Sequence, residues 1–267
     1  MSVRVGMKPI VTDGLSHVYD PISDISYPSG SETVYNHLPN EVCTAQGSGT
    51  DCLDRDWAKQ NMTSYGVETD HQKLKGYLTL DGSNDQVYDG SYMKLNWPFT
   101  WCCWARATGT GDRMLMNRSK HYQYSSYVPT PGIYMGMFSS NATLKVSLYS
   151  GTTQNTYNTY NQNVTCANVA DSKWHFWCAR VTANSNFKLN IDYDWSVGTN
   201  TSATSNDPTN SQYLHIGSAW YYSGYGAGTE AKFWAGDIGP IYTYDRAITD
   251  AEIKQNYEAG YDRFVAT

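Results

Sequence analysis

The stretch from Phe233 to Asp262 reads FWAGDIGPIYTYDRAITDAEIKQNYEAGYD and predicts a strand followed by one short helix. Its first part, around Ile238 and Ile241, is rich in aromatic and β-branched residues, which favour strands. Thr249 and Glu252 then have the spacing of a capping box, in which each side chain bonds the backbone N–H of the other residue. This spacing predicts a helix whose N-cap is Thr249.

The predicted helix is amphipathic. Ile248 and Ile253 fall at the positions of a hydrophobic staple, and Ile253 shares one helical face with Tyr257. Gly260 follows at a spacing that suits a left-handed residue ending the helix. Because a short helix with one apolar face is not stable alone, we expect it to lie on another element of the fold.

The ordered pattern G-D-I-x-x-I-x-x-Y-D-R-A-I-T-x-x-E-I-x-x-N-Y runs from Gly236 to Tyr257. It resembles the closing signature of concanavalin A-like (laminin-G-like) jelly-roll domains, especially those of bacteriophage virion proteins. In those domains one short helix follows the last core strand. The resemblance implies an all-β fold, an antiparallel β-sandwich with one short C-terminal helix.

The composition fits that fold. The 267 residues include 23 Tyr, 9 Trp and 22 Gly, whereas only 16% are charged. Aromatic residues favour strands, and Gly favours the turns between them. A chain of this length buries roughly three quarters of its unfolded surface, so its core needs no disulfide support. We expect a single domain over residues 1–267, with an irregular connection over about 39–72.

Three further segments support the resemblance. GYLTLDGSNDQV, from Gly76 to Val87, is similar to the family's F-D-G-x-N-D-Y-V element and predicts a strand and a turn. The apolar run from Trp97 to Arg106 predicts a central strand covered on both faces. The run from Trp174 to Val181 resembles the family's W-H-H-V-A-V-T strand, and we expect His175 there to be a hydrogen-bonded structural residue.

Other strands follow from alternation of apolar and polar residues. Residues 133–137 and 144–148 predict a hairpin around a polar turn. The cleanest alternation runs over residues 187–195, where the family has L-x-L-Y-V-N-G. The family's Asn-Gly turn is missing and is replaced by residues 194–198. The opening Asp13-Gly14-Leu15 resembles the D-G-L that begins the family's first strand.

The six cysteines show no C-x-x-C spacing of zinc or redox sites. Two of them, Cys102 and Cys103, are neighbours in the Trp-rich strand, and we expect buried free thiols. Cys43 and Cys52 flank the segment GSGTD, and a disulfide that closes this loop is the alternative for that pair.

Charge and hydropathy exclude several partners. The net charge is −6 and no cluster of Lys and Arg occurs, which argues against nucleic acid. No apolar run approaches the roughly 20 residues that span a membrane, so we expect no membrane insertion. The beginning, MSVRVGMKPIVTDG, lacks the apolar segment of a secretory signal, and we expect synthesis in a host cytoplasm.

The motifs indicate neither a metal site nor an enzyme. The D-G-S-N-D segment lacks the bidentate Glu and the spacing of an EF-hand loop, so we expect no cofactor. Calcium stays an open alternative that no specific motif indicates. Glycosidases of this fold present two carboxyl groups as E-x-D-x-x-E or E-x-D-x-E, and no Glu of this chain forms that pattern. Asp192 and Asp194 share one predicted strand face as ordinary solvated carboxylates. We expect no catalytic residue.

Three predicted loops contain more tyrosine than the core of a sandwich requires. They lie at residues 121–127, 149–160 and 220–225, where Ser, Gly and Asn accompany the aromatic residues. Such mixtures give large contact faces with adaptable hydrogen bonds. The candidate ligand or partner contacts are Tyr122, Tyr124, Tyr127, Trp220, Tyr221, Tyr222 and Tyr225. Three alternatives stay open: these residues close the ends of the sandwich, contact another protein or bind a glycan.

The resemblance implies a non-enzymatic structural protein of a bacteriophage virion. We expect it on the particle surface, as a head-decoration or fibre-type protein that contacts other virion proteins and copies of itself. The alternative is a lectin-like adhesin that binds host-surface polysaccharide. A third hypothesis is a divergent glycanase.

Overall fold

The computed structural model describes residues 9–20, 33–34, 57–60, 64–70, 73–83, 85–89, 98–119, 132–150, 158–182, 186–199, 213–221 and 229–265. Within these ranges the chain forms eighteen strands and one helix. The strands are β1 (Leu15–Tyr19), β2 (Thr33–Val34), β3 (Trp57–Gln60), β4 (Ser64–Asp70), β5 (Lys73–Asp81), β6 (Gln86–Asp89), β7 (Phe99–Ala107), β8 (Arg113–Ser119), β9 (Gly132–Phe138), β10 (Asn141–Ser150), β11 (Asn158–Asn168), β12 (His175–Thr182), β13 (Asn186–Ile191), β14 (Asp194–Thr199), β15 (Tyr213–Ile216), β16 (Ala219–Tyr221), β17 (Thr229–Ala231) and β18 (Ala235–Tyr244). The helix is α1 (Asp250–Phe264).

The strands form two large antiparallel sheets and one two-stranded ribbon. The first sheet has the order β14-β13-β12-β7-β18-β5-β4, with β1 also paired to β18. The second sheet has the order β11-β10-β9-β8-β15-β6-β3-β2, and β16 pairs with β17 in the ribbon. Strands that follow one another in the chain, such as β6, β7 and β8, alternate between the sheets. The predicted antiparallel sandwich with one C-terminal helix is confirmed.

An apolar core lies between the two sheets. The first sheet contributes Trp101 and Trp177, which are buried on β7 and β12. The second sheet contributes Met135 and Leu144, from the predicted and confirmed hairpin of β9 and β10. Trp234 packs edge-on against Trp177, with 5.8 Å between ring centroids. This core holds the two sheets face to face.

The outer face of the first sheet is buried as well, because α1 lies on it. Trp104 of β7 stacks with Tyr257 and Phe264 of α1, at centroid distances of 5.6 Å and 5.2 Å. Along β7 all side chains are buried except that of Arg106, which is half-buried. The predicted central strand, covered on both faces, is confirmed. In the described part of the chain no helix has the length and apolar character needed to cross a membrane.

The predicted capping box begins α1. Oγ1 of Thr249 accepts from the backbone N–H of Glu252 at 3.3 Å, and the Glu252 carboxylate accepts from the backbone N–H of Thr249 at 2.7 Å. Arg246 adds a bidentate pair to the same carboxylate, at 3.0 Å and 2.5 Å. The hydrogen bond from Arg246, together with those from Thr249, lowers the pKa of Glu252 to about 2. The carboxylate is therefore ionised at neutral pH, as the N-terminal end of a helix favours.

Gly260 does not end the helix, so that prediction is wrong. The helix continues to Phe264, and Gly260 is buried within it. A Cβ at this position would lie 2.2 Å from Nε1 of Trp104. The glycine is needed because it lets the helix backbone approach the indole, a role that sequence spacing does not distinguish from a left-handed cap.

The hairpin of β13 and β14 turns earlier than the sequence predicts. Asp192 and Tyr193 form its two-residue turn, with φ values of 48° and 73°, and Ile191 pairs with Asp194 across it. Positive φ at both residues defines the type I′ turn, whose twist matches that of paired strands. Asp192 and Asp194 therefore do not share a strand face, and Tyr193 occupies a position that usually holds glycine.

The segment 39–72 is not irregular throughout, and this part of the prediction is also wrong. It contains β3, which pairs with β2 and β6 in the second sheet, and β4, which pairs with β5. Both strands lie at or next to the edge of a sheet, where a strand needs no continuous apolar pattern. The other residues of this segment lie outside the described ranges.

The described cysteines are thiols, as predicted: Cys102, Cys103 and Cys178 are buried, and Cys166 is half-buried. Burial raises the pKa of the Cys102 and Cys103 thiols well above its ordinary value, which makes them poor nucleophiles. Cys43 and Cys52 lie outside the described residues, so a disulfide between them stays an alternative of the sequence analysis.

We predict that Gly260→Ala destabilises the protein by about 1–3 kcal/mol, because the added methyl group overpacks the contact with Trp104. Helix propensity alone predicts the opposite, a gain of about 1 kcal/mol. Urea unfolding of the two proteins measures the difference. Asp262→Ala, at an exposed position of the same helix, is the matched control and should change stability by less than about 0.5 kcal/mol. A stabilised Gly260→Ala variant would contradict the close approach.

Candidate functional site

The candidate residues of the Tyr-rich loops lie largely outside the described structure. Residues without a described position are Tyr122, Tyr124, Tyr127, Tyr222 and Tyr225. The backbones of Trp220 and Tyr221 lie in β16, paired with Glu230 and Thr229 of β17. The role of all seven aromatic residues in binding stays a prediction.

A different group of tyrosines is exposed on the described surface. Lys254, Tyr257, Glu258 and Tyr261 occupy positions i, i+3, i+4 and i+7 of α1, so they form one line along the helix. Tyr193, in the turn between β13 and β14, lies beside this line, with its ring centroid 5.8 Å from Nζ of Lys254. We call these five residues the tyrosine stripe.

The middle of the stripe packs against the protein, whereas the side chains at its two ends are exposed. Tyr257 is half-buried, and its ring packs on Phe176 and Trp104 beneath the helix and edge-on against Tyr261. Within the described residues, two large apolar side chains are exposed, Tyr193 at 42% and Tyr261 at 38%. From Lys254 to Tyr261 the helix rises by about 10 Å. The stripe is therefore a surface of ligand size with a rigid aromatic base.

Polar groups lie directly beside the aromatic rings. Burial, with the nearby Asp192 carboxylate and Tyr261, raises the pKa of Tyr257 to about 12. Its hydroxyl thus stays protonated at physiological pH and can donate and accept hydrogen bonds. Lys254 and Glu258, with Nζ and Oε1 3.9 Å apart, add a cationic donor and an anionic acceptor.

His175 holds the turn that carries one end of the stripe. Its Nδ1 bonds the carboxylate of Asp192, and its Nε2 lies 3.0 Å from Oδ1 of Asp171. The other oxygen of Asp192 accepts from the backbone N–H of Phe176 at 2.8 Å. The prediction that His175 is hydrogen-bonded is confirmed, and we call Asp171, His175 and Asp192 the histidine clamp.

The hydrogen bonds of the clamp favour the charged forms of His175 and Asp171. Burial alone would lower the pKa of His175, but the hydrogen bond and charge of Asp192, reinforced by Asp171, raise it above 6.5. Burial likewise opposes ionisation of Asp171, and the His175 hydrogen bond nevertheless lowers the pKa of that carboxyl. The clamp therefore favours the protonated form of His175 more than water does.

The turn needs this support because Tyr193 has a positive φ, which costs a non-glycine residue conformational energy. Oδ1 of the buried Asn190 accepts from the backbone N–H of Tyr193 at 3.0 Å. Together with the clamp, this bond holds the tyrosine in place at one end of the stripe.

The described residues contain no group of three or more His, Cys, Asp or Glu side chains placed to hold a metal ion. In the D-G-S-N-D segment the acids support the local backbone. Asp81 Oδ1 accepts from the N–H of Ser83 at 2.7 Å, and Asp85 Oδ2 accepts from the N–H of Asp81 at 2.9 Å. Here the structure agrees with the turn that the sequence predicts.

Sequence reasoning missed the stripe for a definite reason. Tyr193 fits the apolar side of the alternation in residues 187–195, and Tyr257 fits the core face of the helix. The i, i+3, i+4, i+7 spacing from Lys254 to Tyr261 was available as a signal. The approach of the turn to the helix is a tertiary contact that the one-dimensional pattern does not contain.

Comparisons with known proteins agree with the sandwich. A laminin-G-type family model, described as the concanavalin A-like lectin/glucanases superfamily, matches residues 76–254. A comparison with curated protein sequences gives no match.

Solved structures with a similar fold include binding domains and an enzyme. A Trypanosoma rangeli sialidase in complex with sialic acid matches with 10% identity and a TM-score of 0.55, over 98% of this chain and 37% of the sialidase chain. The binding domain of Paraclostridial Mosquitocidal Protein 1 matches with 9% identity and a TM-score of 0.51, over 92% and 52%. The binding domain of Botulinum Neurotoxin DC in complex with SialylT matches with 10% identity and a TM-score of 0.51, over 92% and 52%. This chain spans only about a third to a half of those chains, and the likeness is one of fold.

We predict that Asp192→Asn and Asp171→Asn each bring the pKa of His175 down towards 6.5, because each removes a carboxylate that stabilises the imidazolium. NMR titration of the imidazole ring measures this pKa. Asp112→Asn, at a residue that pairs with Lys232, is the control and should leave it unchanged.

The same pKa fixes how stability depends on pH. A folded-state value above 6.5 means that the clamp stabilises the protein fully below about pH 6.5, and that this contribution is lost as pH rises through the folded-state pKa. A wild-type His175 that titrates below 6.5 would contradict the charged clamp.

Proposed function

Because the chain belongs to the concanavalin A-like lectin/glucanases superfamily, we propose that it is a non-enzymatic glycan-binding protein displayed on the surface of a bacteriophage particle. The match over residues 76–254 covers more than half of the chain and includes most strands of both sheets. Membership of this superfamily leaves catalysis, recognition and purely structural roles open. The choice between them rests on the surface of this protein.

The tyrosine stripe is the observation that carries the glycan-binding proposal. Sugar rings have apolar faces that stack on exposed aromatic rings, and their hydroxyl groups exchange hydrogen bonds with neighbouring polar side chains. Tyr193 and Tyr261 supply exposed ring faces, and Lys254 and Glu258 supply the polar partners. Since Tyr257 packs against the Tyr261 ring and the histidine clamp holds the turn that carries Tyr193, binding orders few aromatic side chains.

Other proteins of this fold recognise glycans, which supports the proposal. The similar Trypanosoma rangeli structure holds sialic acid, and the neurotoxin binding domain is in complex with SialylT. Identities of about 10% transfer no residues from them to this chain. A glycan ligand is therefore a function that this architecture supports, at a site that this chain must supply itself.

The charges of the clamp argue against glycoside hydrolysis there. A glycosidase needs one carboxyl group held protonated to act as the general acid. In the clamp the hydrogen bond from His175 lowers the pKa of Asp171, so this group favours the ionised form. Release of reducing sugar from a glycan that the protein binds would contradict the non-enzymatic assignment and favour the hypothesis of a divergent glycanase.

The virion part of the proposal is supported by the sequence pattern from Gly236 to Tyr257, which resembles the closing signature of phage jelly-roll proteins. On a particle surface, decoration and adhesion are compatible within one protein. A purely structural virion role is the second candidate, in which the exposed Tyr193 and Tyr261 contact another protein chain.

We predict that Tyr193→Ala and Tyr261→Ala each weaken glycan binding by about tenfold, because each removes an exposed stacking face. A glycan array, followed by calorimetry on the strongest binder, measures the effect. Tyr261→Phe keeps the ring and should retain most of the affinity. Lys232→Ala, beside the turn between β9 and β10, is a surface control that should bind normally. Unchanged binding in both alanine variants would place the ligand elsewhere.

We expect mass spectrometry of purified phage particles to find this chain at a defined ratio to the major capsid protein. Hundreds of copies would indicate head decoration, and a few to some tens would indicate a tail or vertex adhesin. Absence from particles that display their full set of other proteins would contradict the virion assignment without affecting the glycan assignment.

A further inference from the structure

We propose that the tyrosine stripe selects electrically neutral glycans over sialylated and other anionic ones. This inference rests on the proposed function, because it specifies the ligand of the same site. It separates this chain from the similar proteins whose structures hold sialic acid.

The charged groups around the stripe carry a negative surplus. The helix supplies Lys254, Glu258 and Asp262, which are spaced four residues apart and so lie along one side of α1. The neighbouring clamp and its loop supply Asp171, Lys173, His175 and Asp192. Even with His175 charged, these seven groups comprise four carboxylates and three cations.

The cations of this surface already have carboxylate partners. Nζ of Lys173 lies 3.8 Å from Asp171, and Nζ of Lys254 lies 3.9 Å from Glu258. The two ring nitrogens of His175 contact the carboxyl groups of Asp171 and Asp192, and only 12% of the His175 side chain is exposed. A carboxylate of sialic acid would thus meet cations whose charge is compensated, beside acids that repel it.

No arginine belongs to this set, which matters because arginine is the side chain that binds carboxylates with two parallel hydrogen bonds. The nearest arginine along the helix, Arg263, is buried and makes such a pair with Asp20, at 2.8 Å and 2.7 Å. The net charge of −6 on the whole chain adds long-range repulsion of an anionic polysaccharide.

A neutral pyranose carries no charge that these carboxylates would repel. Its apolar face stacks on Tyr193 or Tyr261, and this contact requires no charge. Its hydroxyl groups donate to the carboxylate of Glu258 and accept from the ammonium of Lys254, which are charge-assisted hydrogen bonds. The stripe therefore offers a neutral sugar both kinds of contact.

A glycan array that carries each neutral oligosaccharide beside its sialylated derivative tests the inference with the full chain. We expect the neutral member of a pair to bind at least about tenfold more tightly, because like charges face each other in the sialylated complex. Raising the salt concentration should narrow this ratio, since screening weakens the repulsion between exposed charges.

Glu258→Lys provides a matched test because it reverses one charge of the stripe while leaving the tyrosines in place. We expect it to reduce the preference for neutral glycans by at least about threefold, and circular dichroism checks that the helix still forms. Glu230→Lys, on β17 and outside the stripe, makes the same charge change and should leave the preference as it is in the wild type.

The outcomes distinguish this inference from the function on which it rests. Equal or tighter binding of sialylated glycans, sensitive to Tyr261→Ala, would overturn the neutral preference and leave the glycan site standing. Failure of every glycan to bind would remove both. Self-association of the chain that Tyr261→Ala abolishes would also overturn the inference, because the stripe would then be an interface between copies of this chain.

Discussion

Gly260 brings the backbone of α1 close to the indole of Trp104, and the outer face of the sandwich is arranged around this approach. With the helix so near to β7, Trp104 packs among Tyr257, Phe176 and Phe264 in a second core. The face of α1 that points away from this core then presents its side chains to solvent. The position of the tyrosine stripe is thus a consequence of how the helix packs, because Tyr257, which anchors the stripe, also packs against this core.

The hydrogen bonds of the histidine clamp fix the turn that carries Tyr193. Within the histidine clamp, His175 lies at the start of β12 and Asp192 in the turn after β13, so the bond between them joins two adjacent strands of the first sheet. The bonds of the clamp hold a turn whose backbone is strained at Tyr193 and keep that ring beside Lys254. The strain, the clamp and the exposed ring occur together, a combination that is typical of sites where function rather than stability selects the conformation.

Local signals in the sequence were enough to predict most of the fold. The capping box at Thr249 and Glu252, and the apolar run of β7, each depend on neighbours in the chain, and both were confirmed. Gly260 was misassigned because a glycine serves a tight approach and a left-handed cap equally well. The stripe escaped prediction because it joins a turn and a helix about 60 residues apart in the sequence, a contact that only the packing of α1 on the sheet creates.

The most direct measurement of the central claim is backbone amide NMR of the full chain, titrated with the neutral oligosaccharide that binds best on an array. If the helix and the turn form the binding surface, the perturbed amides will cluster at the Asp192-Tyr193 turn and between Lys254 and Asp262 of α1, with small changes in the strands of the second sheet. Perturbations confined to the second sheet or to the Tyr-rich loops would show that the ligand binds elsewhere and would contradict the account.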